Sequence, residues 1–516
     1  MTPAIEAQFQ RFGPAYRWYA VITVMMGTIS MVLTTTIINV AMPDIQGAFG
    51  MSQDQVQWLS TGFLAAMTAT MLANAWAMGA FGQRGTYMGA LVIFILASLL
   101  GGMSTHSVLL IIARVLQGAM AGIIQPLAMV TIFQVFPPEQ RGRGMGVYGI
   151  GVVLAPALGP ALGGILMEHF DWRMVFYLAL PFCVIGLFLG PIFMVGKERE
   201  VTNPSFDWLG FGLLLIFLGS TLGGLSNGQR WGWDDPGVVL MLMLGVGALI
   251  GFIVWELHHD APLQDLRIFA NPGFGSASLV AFVLGAGIYG STFLVPLLVQ
   301  NINGYSPADA GLVLMPSGLI LGIVFPLAGL VTDKVRPHWP IITGLLFFAL
   351  SSWLLAGATV HTTFVLLAWW IMLGRVGLGL IMPALNAGGV RCLPVQLMAQ
   401  GSGGVNFARQ LGGAFGVNLL SIVLDRRTVY HSHELALTQT PDNHLTLDLL
   451  EQISGLMAKA GVSDGERMLG SMNYLGRVVF QQAKTLGFQD GFMVSAAVFL
   501  VALVPAWILG NYRRPL

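Results

Sequence analysis

Fourteen stretches of this chain each run for about 20 residues with almost no charge, which is the length of helix needed to cross the hydrocarbon of a bilayer. They are 18–42, 56–78, 86–103, 107–132, 145–167, 174–195, 208–226, 237–255, 274–302, 309–331, 340–359, 363–387, 402–424 and 488–510. Inside lipid every backbone amide must find its partner within the segment, so such runs fold as helices and not as open strands. Composition agrees: 55% of the 516 residues are hydrophobic and 9% are charged, against about 25% charged in soluble domains. A chain with so few charges could not cover a soluble surface of this size, so an all-α integral membrane protein is expected.

Several functions are excluded at this stage. The formal net charge is zero and no basic block occurs, which argues against a nucleic-acid partner. Cys183 and Cys392 are the two cysteines, too few for a disulfide framework or a metal site. His258-His259 and His431/His433 fall in loops without a matching ligand set. No P-loop string is present, so ATP is not expected as the energy source. Neither a catalytic constellation nor a soluble domain appears, so the chain is not expected to be an enzyme, and no cofactor or metal is implied. The first 17 residues are polar, and the apolar run after them is too long for a signal-peptide core, so the first span is expected to remain as an anchor.

Basic residues set the orientation. With the N-terminus inside, 13 Lys/Arg fall in inner segments (Arg84, Arg141, Arg143, Lys334 and Arg391 among them), while the short outer loops hold Arg173 and Arg230. The long 425–487 insert holds six more, but long loops escape the positive-inside bias. Both termini are therefore expected in the cytoplasm. Three cations, Arg114, Arg375 and Arg409, remain inside spans, where a charge is costly and marks a function or a pairing. Their spacing also exposes a repeat. Arg375 follows Arg114 by 261 residues, and the same offset carries Gly151 onto Gly412 and Ala155 onto Gly416. The economical organisation is a cytoplasmic N-terminus (1–17), a six-helix bundle (18–195), two linker helices (208–255), and a second six-helix bundle (274–510) interrupted by the 425–487 insert. Parallel halves of this kind place a substrate site near the midplane between them.

Two strings sharpen this reading. In the fifth span, Gly151, Ala155, Pro156, Gly159, Pro160, Gly163 and Gly164 crowd into one turn-rich stretch. Small residues there admit a neighbouring helix closely, and the prolines remove backbone donors. In the fourth span, Arg114 and Gln117 are three apart, hence on one face. With these residues the chain resembles the major facilitator superfamily, in its fourteen-helix drug:proton antiporter branch, over essentially its whole length. The resemblance implies the major facilitator fold and proton-coupled multidrug efflux across the bacterial inner membrane by alternating access. Solute import, or export of a specific metabolite or fatty acid, is the alternative on the same fold. It makes the fifth-span string an antiporter motif, Arg114 and Gln117 a proton relay or else a structural hub, and Thr34, Asn39, Arg375, Asn406 and Arg409 candidates for the substrate cavity. It also implies that relatives in two-membrane bacteria work with a periplasmic adaptor and an outer-membrane channel. Small hydrophobic compounds, protons and lipid are the remaining partners. Trp172 and Trp208, in strings similar to those of this branch, read as interfacial anchors.

Departures from the family pattern carry weight. Thr34 stands where the branch usually has aspartate, and Gly79 and Ala80 stand where the superfamily commonly has an acid and a base. The C-terminal copy of that loop keeps Asp333 and Lys334, which with Arg84 are the gating candidates, so the N-terminal latch should be the weaker one. The acids all fall in loops or at helix ends, which leaves the spans net positive. This favours neutral or weakly acidic hydrophobic substrates over lipophilic cations, and it leaves Asp44 and Asp309 as the remaining proton-carrier candidates. The 27 methionines suit either a cavity that repacks around varied ligands or ordinary packing. Met468, Leu469, Met472, Leu475, Val479 and Ala483 are spaced for an amphipathic helix, which could lie on the outer bilayer surface, cap the cavity or dock a partner.

Overall fold

The computed structural model describes residues 3–51, 53–196, 205–305, 307–440 and 442–511, and among these the regular structure is helical throughout, with no strand. The α-helices in chain order are α1 (Pro3–Phe12), α2 (Tyr16–Phe49), α3 (Gln53–Gly102), α4 (Ser107–Val135), α5 (Arg141–His169), α6 (Met174–Tyr177) and α7 (Leu180–Phe193). They continue as α8 (Trp208–Trp231), α9 (Pro236–His258), α10 (Pro272–Asn301), α11 (Pro307–Lys334), α12 (His338–Leu355) and α13 (Phe364–Arg391). The last are α14 (Met398–Leu437), α15 (His444–Lys459), α16 (Asp464–Val501) and α17 (Leu503–Asn511).

Twelve described helices are long and apolar enough to cross a membrane. One of them, α3, is 50 residues long and is broken at Gly82, whose φ of 72° and ψ of 167° are not helical. A positive φ of that size is available to glycine at little cost, so this residue turns one helix into two crossings. With the 29-residue α5 added, the arrangement is consistent with the fourteen crossings expected from the sequence. The exposed apolar residues Leu96, Phe188, Met243, Val246, Leu319 and Val504 form the lipid-facing surface.

The apolar cores divide the molecule. Helices α2 to α7 enclose two clusters, one built on Tyr87, Phe94, Ile124 and Phe133 and the other on Ile37, Leu59, Leu110 and Trp172. Helices α10 to α14, α16 and α17 enclose two more, around Phe274, Leu284, Ile381 and Phe499 and around Leu298, Ile371, Phe488 and Phe492. The pair α8/α9 packs on itself and bridges the two groups. Leu214, Phe217 and Phe252 meet Ala69, Leu72 and Ala73 of α3, with Phe407 and Phe415 of α14 alongside.

Small residues set the closest approaches. A Cβ on Gly118 would strike the Phe63 carbonyl, and one on Gly122 the Met67 carbonyl, so α3 and α4 touch backbone to backbone. In the other half, Gly412 meets the Phe282 carbonyl and Gly416 meets Ala286, which seats α14 on α10. Gly151 and Gly159 seat α5 on α2 against Met25 and Thr36. The 261-residue offset thus relates α5 on α2 to α14 on α10.

Two sequence expectations need correction. The apolar face from Met468 to Ala483 belongs to α16, which continues without a break into the last crossing. At 1.5 Å per residue a 38-residue helix spans about 57 Å, well beyond the hydrocarbon. The insert is therefore an extension of α14 and α16 with α15 packed on it, and not a separate helix laid on the bilayer. Asp490 braces it, accepting from Arg427 Nε at 2.5 Å and lying 2.7 Å from His431 Nε2. Trp172 is 5% exposed. It stacks edge-on against Phe49 and so is a core residue, whereas Trp208 is exposed as an interfacial side chain would be.

Gly118→Ala is expected to lower the stability of the detergent-purified protein by about 1–3 kcal/mol through overpacking, measured as a drop in Tm. Gly89 has open space around it, so Gly89→Ala should be neutral or stabilising by up to about 1 kcal/mol. Equal melting of the two variants would contradict the backbone contact.

Candidate functional site

Arg114 is 1% exposed and lies at the meeting of three helices. Its Nε donates to the Leu59 carbonyl at 2.9 Å, and Nη1 donates to the Thr34 carbonyl at 3.3 Å and to Gln117 Oε1 at 3.0 Å. The guanidinium carbon sits 4.3 Å from the centre of the Phe63 ring. Gln117 passes the network on by donating to Ser98 Oγ at 2.8 Å. Helical carbonyls beside glycine-rich contacts are close enough to be used twice, which is how α4 is pinned to α2 and α3. Each of these partners is a carbonyl, an amide, a hydroxyl or a ring, and Nη2 has no partner among the described residues. The geometry is that of a hub. Thr34 contributes its carbonyl, while its hydroxyl turns back to the Ser30 carbonyl at 2.8 Å.

A cavity of ≈ 440 Å³, part of it open to solvent, lies between the two groups of helices. From α4 and α5 it is lined by Gln125, Met129, Met145, Tyr148, Gly149 and Val152, and from α11, α13 and α14 by Phe325, Met382, Pro383, Asn386, Asn406 and Arg409. Three methionines and two aromatic rings give it a surface that is apolar and adaptable. Its polar groups are few. Arg409 Nη2 donates to Asn406 Oδ1 at 2.5 Å and Nη1 approaches Met382 Sδ at 3.5 Å. Asn386 is 5% exposed, and its Oδ1 has no hydrogen-bond partner among the described residues. Among the described residues no carboxylate lines the cavity, and the formal charge on that lining is the positive one of Arg409.

The cavity is closed at one end by a seam between α5 and α11. Phe325 lies against Gly149 and Gly146, and the Gly329 carbonyl lies 2.5 Å from where a Cβ on Gly142 would stand. At the end of the seam the Asp333 carboxylate accepts from the backbone N–H of Gly142 at 2.7 Å and of Arg143 at 2.9 Å. These are the first-turn amides of α5, so the carboxylate sits on the positive end of that helix. Arg391 Nη2 donates to the Pro138 carbonyl at 3.0 Å beside it. The second seam, between α14 and the pair α3/α4, is closed by uncharged contacts among the described residues. Ser402 Oγ donates to the Pro126 carbonyl at 3.0 Å, and Gly403 packs on the Met71 carbonyl.

The structure groups the residues singled out from sequence as follows. Asn406 and Arg409 line the cavity. Arg375 is half-buried on α13 and reaches Thr292 Oγ1 of α10 at 3.4 Å, away from that lining. Asp333 is at the seam. Lys334 is exposed and makes no hydrogen bond or ion pair among the described residues. Arg84 joins α3 to α7, donating to the Pro191 carbonyl at 3.1 Å, and does not reach the other half. Gly151, Gly159 and Gly163 face α2 of their own half. Asp44 is exposed near the end of α2. Asn39, Pro156, Pro160, Gly164 and Asp309 lie outside the residues whose side-chain surroundings are described. Sequence reasoning missed Gln125, Tyr148, Phe325 and Asn386. A polar residue two or three turns beyond Arg114 on the same helix, as Gln125 is, was the available signal.

The Major Facilitator Superfamily pattern matches residues 24–417. Multidrug export protein EmrB of Haemophilus influenzae is 27% identical over 484 residues, which cover 93% of this chain and 93% of that protein. Lincomycin resistance protein LmrB of Bacillus subtilis is 30% identical over 412 residues, covering 78% of this chain and 85% of that protein. Among solved structures, the human organic anion transporter MFSD10 superposes with a TM-score of 0.62 at 15% identity, covering 96% of this chain and 99% of that chain. At that identity the likeness is one of fold.

Arg114→Met is expected to remove the donor shared by the Thr34 and Leu59 carbonyls, which keep their helical partners, and to strip Gln117 Oε1 of its donor, at a cost of about 1–3 kcal/mol for that buried group. Arg114→Lys should recover little, because an ammonium lacks the planar fork that reaches two helices at once. Thermal unfolding in detergent checks both, and a fully stable Arg114→Met variant would remove the hub.

Proposed function

The chain belongs to the major facilitator superfamily, in its multidrug branch, and on that premise we propose that it exports neutral or weakly acidic hydrophobic compounds from the cell by alternating access, driven by proton entry. The observation that carries this reading is the cavity between the halves: methionine-rich and aromatic, holding Arg409 and, among the described residues, lined by no carboxylate. A lipophilic cation would meet a like charge there with no counter-ion to offset its desolvation. A neutral compound gains apolar contact. A weak acid gains the Arg409 guanidinium, whose other contacts are an amide oxygen and a thioether.

In this reading the protein sits in the bacterial cytoplasmic membrane with both termini inside, as its distribution of basic residues favours. The seam closed by Asp333 is then the cytoplasmic gate, and the described conformer faces outward. Opening it requires the carboxylate to leave the α5 amides. The two halves would rock about the cavity, with the glycine contacts of α5 on α2 and α14 on α10 moving as rigid units. Asp44 and Asp309 remain the proposed proton carriers, with the Arg114 hub transmitting the change between α2, α3 and α4. The α14/α16 extension points to the outer side and is the surface that a periplasmic adaptor would meet.

Everted membrane vesicles test the reading. An acid-inside gradient should drive accumulation of a fluorescent hydrophobic weak acid, and an uncoupler should abolish it. Uptake that ignores the gradient would refute proton-driven export. Arg409→Gln should weaken handling of the acid about tenfold or more, the equivalent of losing one hydrogen bond to a charged group at 1.5–3 kcal/mol. Export of a neutral analogue should change far less. Equal losses for the two compounds would show that Arg409 supports the fold instead of the ligand.

A further inference from the structure

Beyond the cavity, two carboxyls are buried together where the linker helices begin and end. Asp207 precedes α8 and is 4% exposed, and Glu256 lies in the last turn of α9 and is 2% exposed. Asp207 Oδ1 is fully used, accepting from the Gly210 N–H at 2.8 Å and from Trp255 Nε1 at 2.9 Å. Glu256 Oε2 accepts from the Gln264 N–H at 3.2 Å. The two remaining oxygens, Asp207 Oδ2 and Glu256 Oε1, have no donor among the described residues. A side chain on Gly210 would collide with both, which places these orphan oxygens side by side. Two ionised carboxylates cannot share a buried site, because each raises the cost of ionising the other.

No cation among the described residues offsets the pair. Arg267 is turned outward to the Leu257 carbonyl at 3.2 Å. His258 is exposed and lies 2.8 Å from the Val254 carbonyl, and His259 stacks on Trp255. Asp265 carries the same sign as the pair and caps the Arg267 N–H. Asp260 is exposed. From α3 the neighbours are Trp76, whose ring meets Phe206 at 4.7 Å, and apolar residues. From α14 the neighbour is the amide of Gln400.

We propose that Asp207 and Glu256 bind one proton between Oδ2 and Oε1, forming a proton site in the linker helices separate from the central cavity, and that its occupancy holds the neighbouring gate seam shut. The link to the seam is short. Glu256 holds the Gln264 backbone, the next residue donates from Asp265 N to Gln400 Oε1 at 3.3 Å, and the Gln264 side chain rests beside Gly404. Gln400 and Gly404 flank Ser402 and Gly403, the two residues that close α14 onto α4 and α3. Losing the proton would leave two repelling anions, loosen the α8/α9 junction and release the start of α14. The gate part of this proposal rests on the transport reading; the proton site does not, and neither measurement below uses transport.

Infrared difference titration of the full-length protein in lipid reads the proton directly. A protonated-carboxyl C=O band should be present in the wild type and lost in both Glu256→Gln and Asp207→Asn. Two variants are used because Asp207 also caps α8, so that a folding defect in one leaves the other informative. A band that survives both substitutions overturns the proton site. For the gate, Ser402→Cys in a Cys392→Ser background reports opening by alkylation, since position 402 is buried when the seam is closed. Alkylation should accelerate with rising pH in the otherwise wild-type protein by more than in the same protein carrying Glu256→Gln, which mimics the protonated pair. Coincident pH curves overturn the coupling to the gate.

Discussion

A guanidinium inside a lipid-embedded bundle must find acceptors within the protein, and three of them here must do so without a carboxylate on their own helical turns. Each is accommodated differently. Arg114 takes the carbonyls of two neighbouring helices and the face of Phe63. Arg375 reaches a threonine hydroxyl across to α10. Arg409 is held by an asparagine amide and a thioether at the wall of the cavity. The first uses Nε and Nη1 on acceptors from the protein, and it ties three helices together. The last lines the cavity, and in the proposed transport reading its charge is the one a bound compound would meet. The cations inside the spans are thus a single constraint with two consequences, helices tied together in one half and a positive charge at the cavity wall between the halves.

The two gate seams show how the same closure is reached with different chemistry. Asp333 places its charge on the free amides at the start of α5, where a helix is electrostatically positive. The partner seam closes by Ser402 and Gly403 packing on the carbonyls of Pro126 and Met71. A charge latch can be released by a change in charge, whereas a backbone contact opens only when a helix moves. The buried Asp207/Glu256 pair adjoins the second seam and, in the proposal above, supplies it with a titratable group.

The fold was largely legible in the sequence, because a crossing helix writes its length and hydropathy into about 20 consecutive residues. The repeat was legible too: Arg114 to Arg375 and Gly151 to Gly412 share one offset, and the structure gives the glycines equivalent packing roles. What the sequence does not show is whether a helix end is buried. Asp207 and Glu256 sit at helix ends yet are buried by α3, α14 and the connecting segment. Trp172 sits at a span end yet fills a core. The 425–487 insert looked like a loop because its polar residues break the hydropathy run, although the backbone is helical through Leu437, again over His444–Lys459, and from Asp464 onward. The cavity was half legible. Arg409 and Asn406 announce themselves as polar residues in apolar spans, while Tyr148, Phe325 and Met382 resemble any other core residue until two helices from opposite halves are placed face to face.

The charge of the cavity is the claim on which the functional reading depends, and a matched series on one aromatic scaffold tests it most directly. Initial uptake rates into everted vesicles would be measured for a neutral, a carboxylate-bearing and a quaternary-ammonium compound under the same proton gradient. The neutral and acidic compounds should accumulate while the ammonium compound does not. Accumulation of the ammonium compound as fast as the other two would contradict the account.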